Sequence, residues 1–257
     1  MDVYEVVKRL WFFEKEIFKN PNIQRTILGL MHNKEYEIGY KNLVVINSDS
    51  NCIAHLNLLQ ESTTLLYKII MTCKHKNADE LSLLGIGIRL FNDIVSSFKL
   101  MIAGYYQISF SIQRDLLETG FLLDYLRIDK SLISEWRTCS REMRITRFSP
   151  KNVRDKLDKR DGFKTKKREK TYQLFCEYAS HPTHGGSRLF TKDGLAETGP
   201  FYDEKKLKNA LLELTKQTDH AVAHFICHFE FESNNLSQLV LSYVEKSKQW
   251  MAKYMQL

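Results

Sequence analysis

Residues 79–126 read DELSLLGIGIRLFNDIVSSFKLMIAGYYQISFSIQRDLLETGFLLDYL, and their spacing decides the fold class. Apolar side chains recur every three or four residues through the stretch, the period of an α-helix. Around 101–112 they cover more than one face, as on a helix in the middle of a bundle. Gly85, Gly87 and Gly104 can interrupt the pattern, so it forms one long helix or two.

The same period extends outward. Upstream, Leu56, Leu59, Thr63, Leu66, Tyr67 and Ile70 mark a helix over about 52–75. Val3, Val6, Val7, Leu10, Trp11, Ile17 and Phe18 mark an amphipathic helix at the start of the chain. The polar, Asn-rich interval 32–51 between them is expected to be a loop, with LVVI at 43–46 a short strand or a buried turn of chain.

Downstream, Ser149-Pro150 is a helix start, a capping hydroxyl followed by proline in the first turn. HPTHGG at 181–186 ends the preceding helix and opens a loop to about Pro200. A helix follows over 203–233, Asn234-Asn235 separate it from the next, and a terminal amphipathic helix closes the chain. The expected architecture is all-α, a multi-helix bundle with an irregular excursion near 181–200. It forms one domain over 1–257, within which an N-terminal helical subregion, 1–78, precedes the main bundle of 79–257.

Composition agrees with this. With 11 Gly and 4 Pro in 257 residues, the chain is short of the turn formers that an all-β sandwich needs. The longest uncharged stretch in the middle of the chain lies between Lys99 and Arg114. It carries two Gln and two Ser and falls short of the ~18 apolar residues of a membrane span, so no membrane association is expected. The charged first twenty residues do not resemble a secretory signal. Five scattered cysteines without a C-x-x-C pair argue against a disulfide framework or structural zinc and for reduced thiols in the cytoplasm. No Gly-rich phosphate loop or nucleophile elbow is present, and no cofactor is expected.

Charge is concentrated. Residues 141–170 hold thirteen Lys or Arg against five Asp or Glu, a balance of +8 where the whole chain carries +7. Arg141, Arg144, Arg147, Lys151, Arg154, Lys166, Lys167 and Arg168 are the candidate binding residues for RNA, DNA or a nucleotide. The plain alternative is a solvated connector blunted by Glu142, Asp155 and Asp158.

Two further sets of polar residues stand out. Arg114 and Glu118 interrupt an apolar run four residues apart, as a buried ion pair fixing helix register or as the floor of a polar pocket. His181 and His184, on the Pro- and Gly-rich bend, are the groups expected to complete such a pocket as acid or base, or else to cap a helix end. His220, His224 and His228 recur every four residues, but on a spiral about the apolar stripe. They read as boundary and surface histidines, with no metal site.

QRDLLETGFLLDYL, EWR at 135–137 and YASHPTHGG at 178–186 together resemble bacterial helical proteins of the HEPN-like, abortive-infection type. Over about 85–190 the matching polar positions are Arg114, Glu118, Ser180 and His181. The resemblance implies an all-helical, often dimeric cytoplasmic protein tied to phage defence or RNA biology. Active HEPN ribonucleases carry an Arg followed four to six residues later by His on one helix. No Arg precedes His181, His184, His220, His224 or His228 in that way, which removes the main reason to expect a ribonuclease. If RNA is cleaved, one His of the bend serves as base and Arg114 stabilises phosphate charge. The competing readings are a non-catalytic protein-interaction module and a metal-dependent helical-bundle enzyme.

Overall fold

A computed structural model describes residues 26–231 and 233–255. The helix expected over residues 3–18 lies outside them. Among the described residues there are ten α-helices and one two-stranded hairpin, as the helical periodicity predicts.

Helix α1 (Ile27–Ser48) runs through the interval expected to be a loop with a strand-like LVVI. The correction has a physical cause. Ile38, Asn42 and Ile46, four apart, form a buried stripe, and the Asn42 side-chain amide donates to the Ile102 carbonyl at 2.9 Å. An asparagine at a core position conceals the stripe from a hydrophobic reading. Asp49 then caps α2 (Ser50–Thr72), accepting from the backbone of Asn51 and Cys52.

The long apolar stretch is two helices, α3 (Ala78–Ile102) and α4 (Tyr106–Leu126). The break falls at Gly104, with φ +90° and a backbone carbonyl of Phe201 2.5 Å from where a Cβ would stand. Only glycine meets both demands. α3 is also the one described helix long and apolar enough to cross a membrane. It carries Asp79, Glu80, Arg89, Asp93 and Lys99 and packs against α2, α4 and the long helix near the C-terminus, so its apolar residues serve a core.

Four short helices follow: α5 (Ser131–Thr138), α6 (Arg141–Arg147), α7 (Pro150–Arg160) and α8 (Lys167–Phe175). Ser149 caps α7 through the Asn152 amide, with Pro150 in the first turn. A wide π-turn (Cys176–Ser180), a 3₁₀ turn (Gly185–Phe190) and the hairpin of β1 (Thr191–Lys192) and β2 (Leu195–Ala196) make up the irregular excursion.

α9 (Glu204–Ile226), capped by Asp203, buries Leu207, Ala210, Leu211, Leu214, Ala221, Val222 and Phe225 against α2, α3 and α4. These four helices hold the core. α10 (Asn234–Tyr254) packs on α2, where the Trp250 indole N–H donates to His55 Nδ1 at 3.0 Å. It is pinned to α9 by Tyr243 and Ser247, which donate to the buried Asp219 carboxylate at 2.7 and 2.9 Å.

Candidate functional site

The middle of α4 carries a row of polar groups that meet α7, α8 and the π-turn. Arg114 Nε lies 3.2 Å from Glu118 Oε1, the pairing expected from their spacing. Arg114 also reaches Cys176 Sγ at 3.9 Å and lies 5.7 Å from the Tyr172 ring centre. From α7, the Arg154 guanidinium stacks on the same ring at 3.9 Å. Arg154 is only 5% exposed, yet its Nε and Nη1 are buried without a hydrogen-bond partner, and no ion pair reaches it among the described residues. Tyr172 is pushed up to about 12, by burial first and then by its contact with Cys176. It is a neutral ring at physiological pH.

The expected histidines are placed differently. The π-turn keeps Cys176 and Ala179 inside and brings Ser180 Oγ to 3.5 Å from Ser111 Oγ on α4. The chain then turns extended at His181, with φ −103° and ψ 147°. His181 and His184 are exposed, and neither imidazole makes a hydrogen bond or ion pair with Arg114 or Glu118. Arg114 and Glu118 thus come together with each other and with Tyr172 and Cys176. These two, four residues apart and facing α4, carried a helical-spacing signal that their mixed chemistry hid.

On the α3 side of α4 lies a cavity of about 250 Å³, lined by Arg89, Asp115, Glu118, Trp136, Phe148 and Val153 among others. Arg89 grips Asp115 with two hydrogen bonds of 2.9 and 2.8 Å and stands 3.9 Å from Asp93. Burial raises the Asp93 carboxyl to about 7, and the neighbouring Asp115 carboxylate adds to the rise. Burial pushes Asp115 up as well, but its bonds to Arg89 and Asp93 outweigh that and hold it low. The pair is one carboxyl and one carboxylate near neutrality, the charge state of an acid–base couple.

The basic segment divides into an inner and an outer set. On α7 the inward face is Val153, Arg154, Leu157 and Asp158, so Arg154 turns away from solvent. Arg168 does likewise, bonding Asp158 at 2.8 Å and Asp161. Arg160 holds the buried Asp124 of α4 with two bonds of 2.8 Å. Of the eight candidate cations, Arg141, Arg144, Arg147, Lys151, Lys166 and Lys167 are exposed. Arg147 and Lys166 are engaged by Glu135 and Glu169.

The three spaced histidines are half-buried, at the boundary of the core rather than on the open surface. All face α4. His220 packs on Gly120, where an added Cβ would stand 2.6 Å from its Nδ1. His224 Nδ1 accepts from Arg127 at 2.9 Å and lies 3.5 Å from Asp124, and His228 Nε2 donates to the Leu123 carbonyl at 3.0 Å. Burial is the first cause that depresses them, His220 to about 3 and His224 to about 4. Gly120 lets α9 approach closely enough to half-cover His220, which the helical wheel placed furthest round from the apolar stripe. Among the described residues no group of three or more His, Cys, Asp or Glu is arranged to hold a metal ion.

Comparison with protein-family models, curated proteins and solved structures finds no match to this chain.

Proposed function

We propose that the chain is a HEPN-like helical module of the cytoplasm that binds nucleic acid, in a phage-defence or RNA-related role, with α6, α7 and α8 as the contact surface. One observation carries this reading. The carboxylates of residues 141–170 are largely drawn into internal pairs with Arg160, Arg168 and Lys166, while Arg141, Arg144, Lys151, Lys156, Lys159, Lys164, Lys167 and Lys170 are exposed and outside every ion pair among the described residues. Cations left free in this way set up a positive surface that a phosphate backbone neutralises.

On α7, Lys151, Asp155 and Lys159 share the outer face, and α6 has no buried residue at all, so both helices offer their side chains to a partner. Affinity for a short single-stranded RNA or DNA, followed by fluorescence anisotropy, is expected to fall steeply between about 50 and 200 mM salt. Each phosphate contact contributes a slope of about −0.7 in log affinity against log salt for single strands. Replacing Arg141, Arg144 and Lys151 together by Ala is expected to reduce the slope by about 2. No binding, or binding indifferent to salt, overturns the reading.

A further inference from the structure

The outer cations account for attraction to a polyanion but leave the cavity beside α3 and α4 without an occupant. Its back wall is apolar, with Phe148 and Val153 buried, and the Trp136 ring beside them is half-buried. Arg89 and Pro150, at its mouth, are exposed. The mouth borders the proposed contact surface. Pro150 opens α7 and is followed by the exposed Lys151, and Arg147 at the end of α6 is tied to Glu135, next to Trp136 in the chain.

The polar groups lining the cavity are short of partners. Thr119 is 8% exposed, and a helical hydroxyl can bond back to the carbonyl four residues before it. Among the described residues the Thr119 hydroxyl makes no hydrogen bond. Glu118 turns Oε1 towards Arg114, and no hydrogen bond reaches its Oε2. Arg89 commits Nε and Nη2 to Asp115 and keeps Nη1. An acceptor, a donor and a hydroxyl that serves as either are thus left around an aromatic-walled space.

Charge, by contrast, is already balanced. Arg89 offsets Asp115, Arg114 offsets Glu118, and the neighbouring Asp93 keeps its proton up to about pH 7. An ion of either sign would enter this hydrocarbon-walled space without a counter-charge. The fitting occupant is neutral and flat, with hydrogen-bonding groups of both kinds along one edge. At about 250 Å³ the space lies below the ~300–1,000 Å³ of sites for larger ligands and suits a single ring system. A nucleobase meets each of these demands.

We propose that this cavity receives one base of a single strand lying across α6, α7 and α8, the base stacking on Trp136 and presenting an N–H to the Glu118 carboxylate. The inference rests on the nucleic-acid reading and adds to it a fixed point. The outer lysines attract the backbone whatever its sequence, and the cavity takes one unstacked base from it.

The test measures the affinity of the full chain for two labelled single strands of equal length, one bearing its bases and one abasic throughout, so that the phosphates are the same. The base-bearing strand is expected to bind at least tenfold more tightly at fixed low salt, with the same salt slope. Trp136→Ala is expected to remove most of that difference and to leave the slope unchanged, because no charge is lost. If the unsubstituted protein binds neither strand, the nucleic-acid reading and this inference fail together. If it binds both equally with a steep slope, the surface reading survives and the base site is wrong. A preference for bases that Trp136→Ala keeps in full overturns the site as well. Should Trp136→Ala not fold, the Trp136 indole N–H resonance of the unsubstituted protein decides. Its movement on saturation with the base-bearing strand, but not with the abasic one, supports the site. A resonance left in place, or moved alike by both strands, overturns it.

Discussion

Asp93 shows how one side chain is set by what surrounds it. It shares Arg89 with Asp115, but the two strong bonds of that guanidinium go to Asp115. Asp93 is left to hold a proton up to about pH 7, while an unfolded aspartate releases it near 3.8. A raised carboxyl stabilises the fold at low pH, and that contribution is lost as pH rises through the folded value. Asp93→Asn mimics the protonated form and is expected to stabilise the protein at both pH 5 and pH 8, more at pH 8 by on the order of 2–3 kcal/mol. Urea unfolding at the two pH values checks this, and equal effects at both would contradict the shared-proton arrangement. Gly120 is the steric counterpart. A methyl group there meets the His220 ring at 2.6 Å, so Gly120→Ala is expected to cost about 1–3 kcal/mol despite alanine's better helix propensity.

At the scale of elements, the helices that announced themselves were those whose buried stripes are apolar: α2, α3, α4 and α9. Where a core position is polar, the signal faded. Asn42 hid α1, and Arg154 and Asp158 on the inner face of α7 made its cations look uniformly external. The candidate site suffered most, because its partners come from separate elements. The Arg114–Glu118 pair was legible from a spacing of four within one helix. That Tyr172 and Cys176, rather than His181 and His184, would meet it depends on the direction in which the π-turn releases the chain, and no local pattern encodes that. Asp124 belongs to the same class, a lone acid in LLDYL that ties α4 to α7 through Arg160 and faces α9 through His224. Removing its charge leaves Arg160 held by Asp161 alone. Asp124→Asn is expected to cost about 1–3 kcal/mol and to open α7 and α8 before the core, read as earlier amide exchange or faster proteolysis across 161–170. Uniform loosening of α2, α3 and α9 instead would show that Asp124 serves the whole bundle.

For the molecule as a whole, the buried imidazoles set the response to acid. His55, His220, His224 and His228 are all depressed below 6.5, with burial the leading cause in each, because charging them inside the α2–α10 and α4–α9 contacts forfeits solvation. Below about pH 6.5 the unfolded chain takes up protons on these groups that the folded chain refuses. Stability present above that pH is therefore lost as pH falls towards the folded values. Asp93 acts in the opposite sense, since its proton binds the folded state below about 7. Asp219 shares that sense, its carboxyl raised by burial despite the bonds from Tyr243 and Ser247. Four imidazoles against two carboxyls still leave the unfolded state the greater acceptor. The free energy of unfolding is expected to fall by on the order of 2–4 kcal/mol between pH 7 and 5.5. The double change His220→Asn and His224→Gln removes the two most strongly depressed imidazoles while Asp93 continues to act in the opposite sense, and it is expected to abolish most of the dependence. Urea midpoints across that interval measure both slopes. A profile that is level in the unsubstituted protein, or equally steep in the double variant, would mean that α9 does not seal these rings against α4.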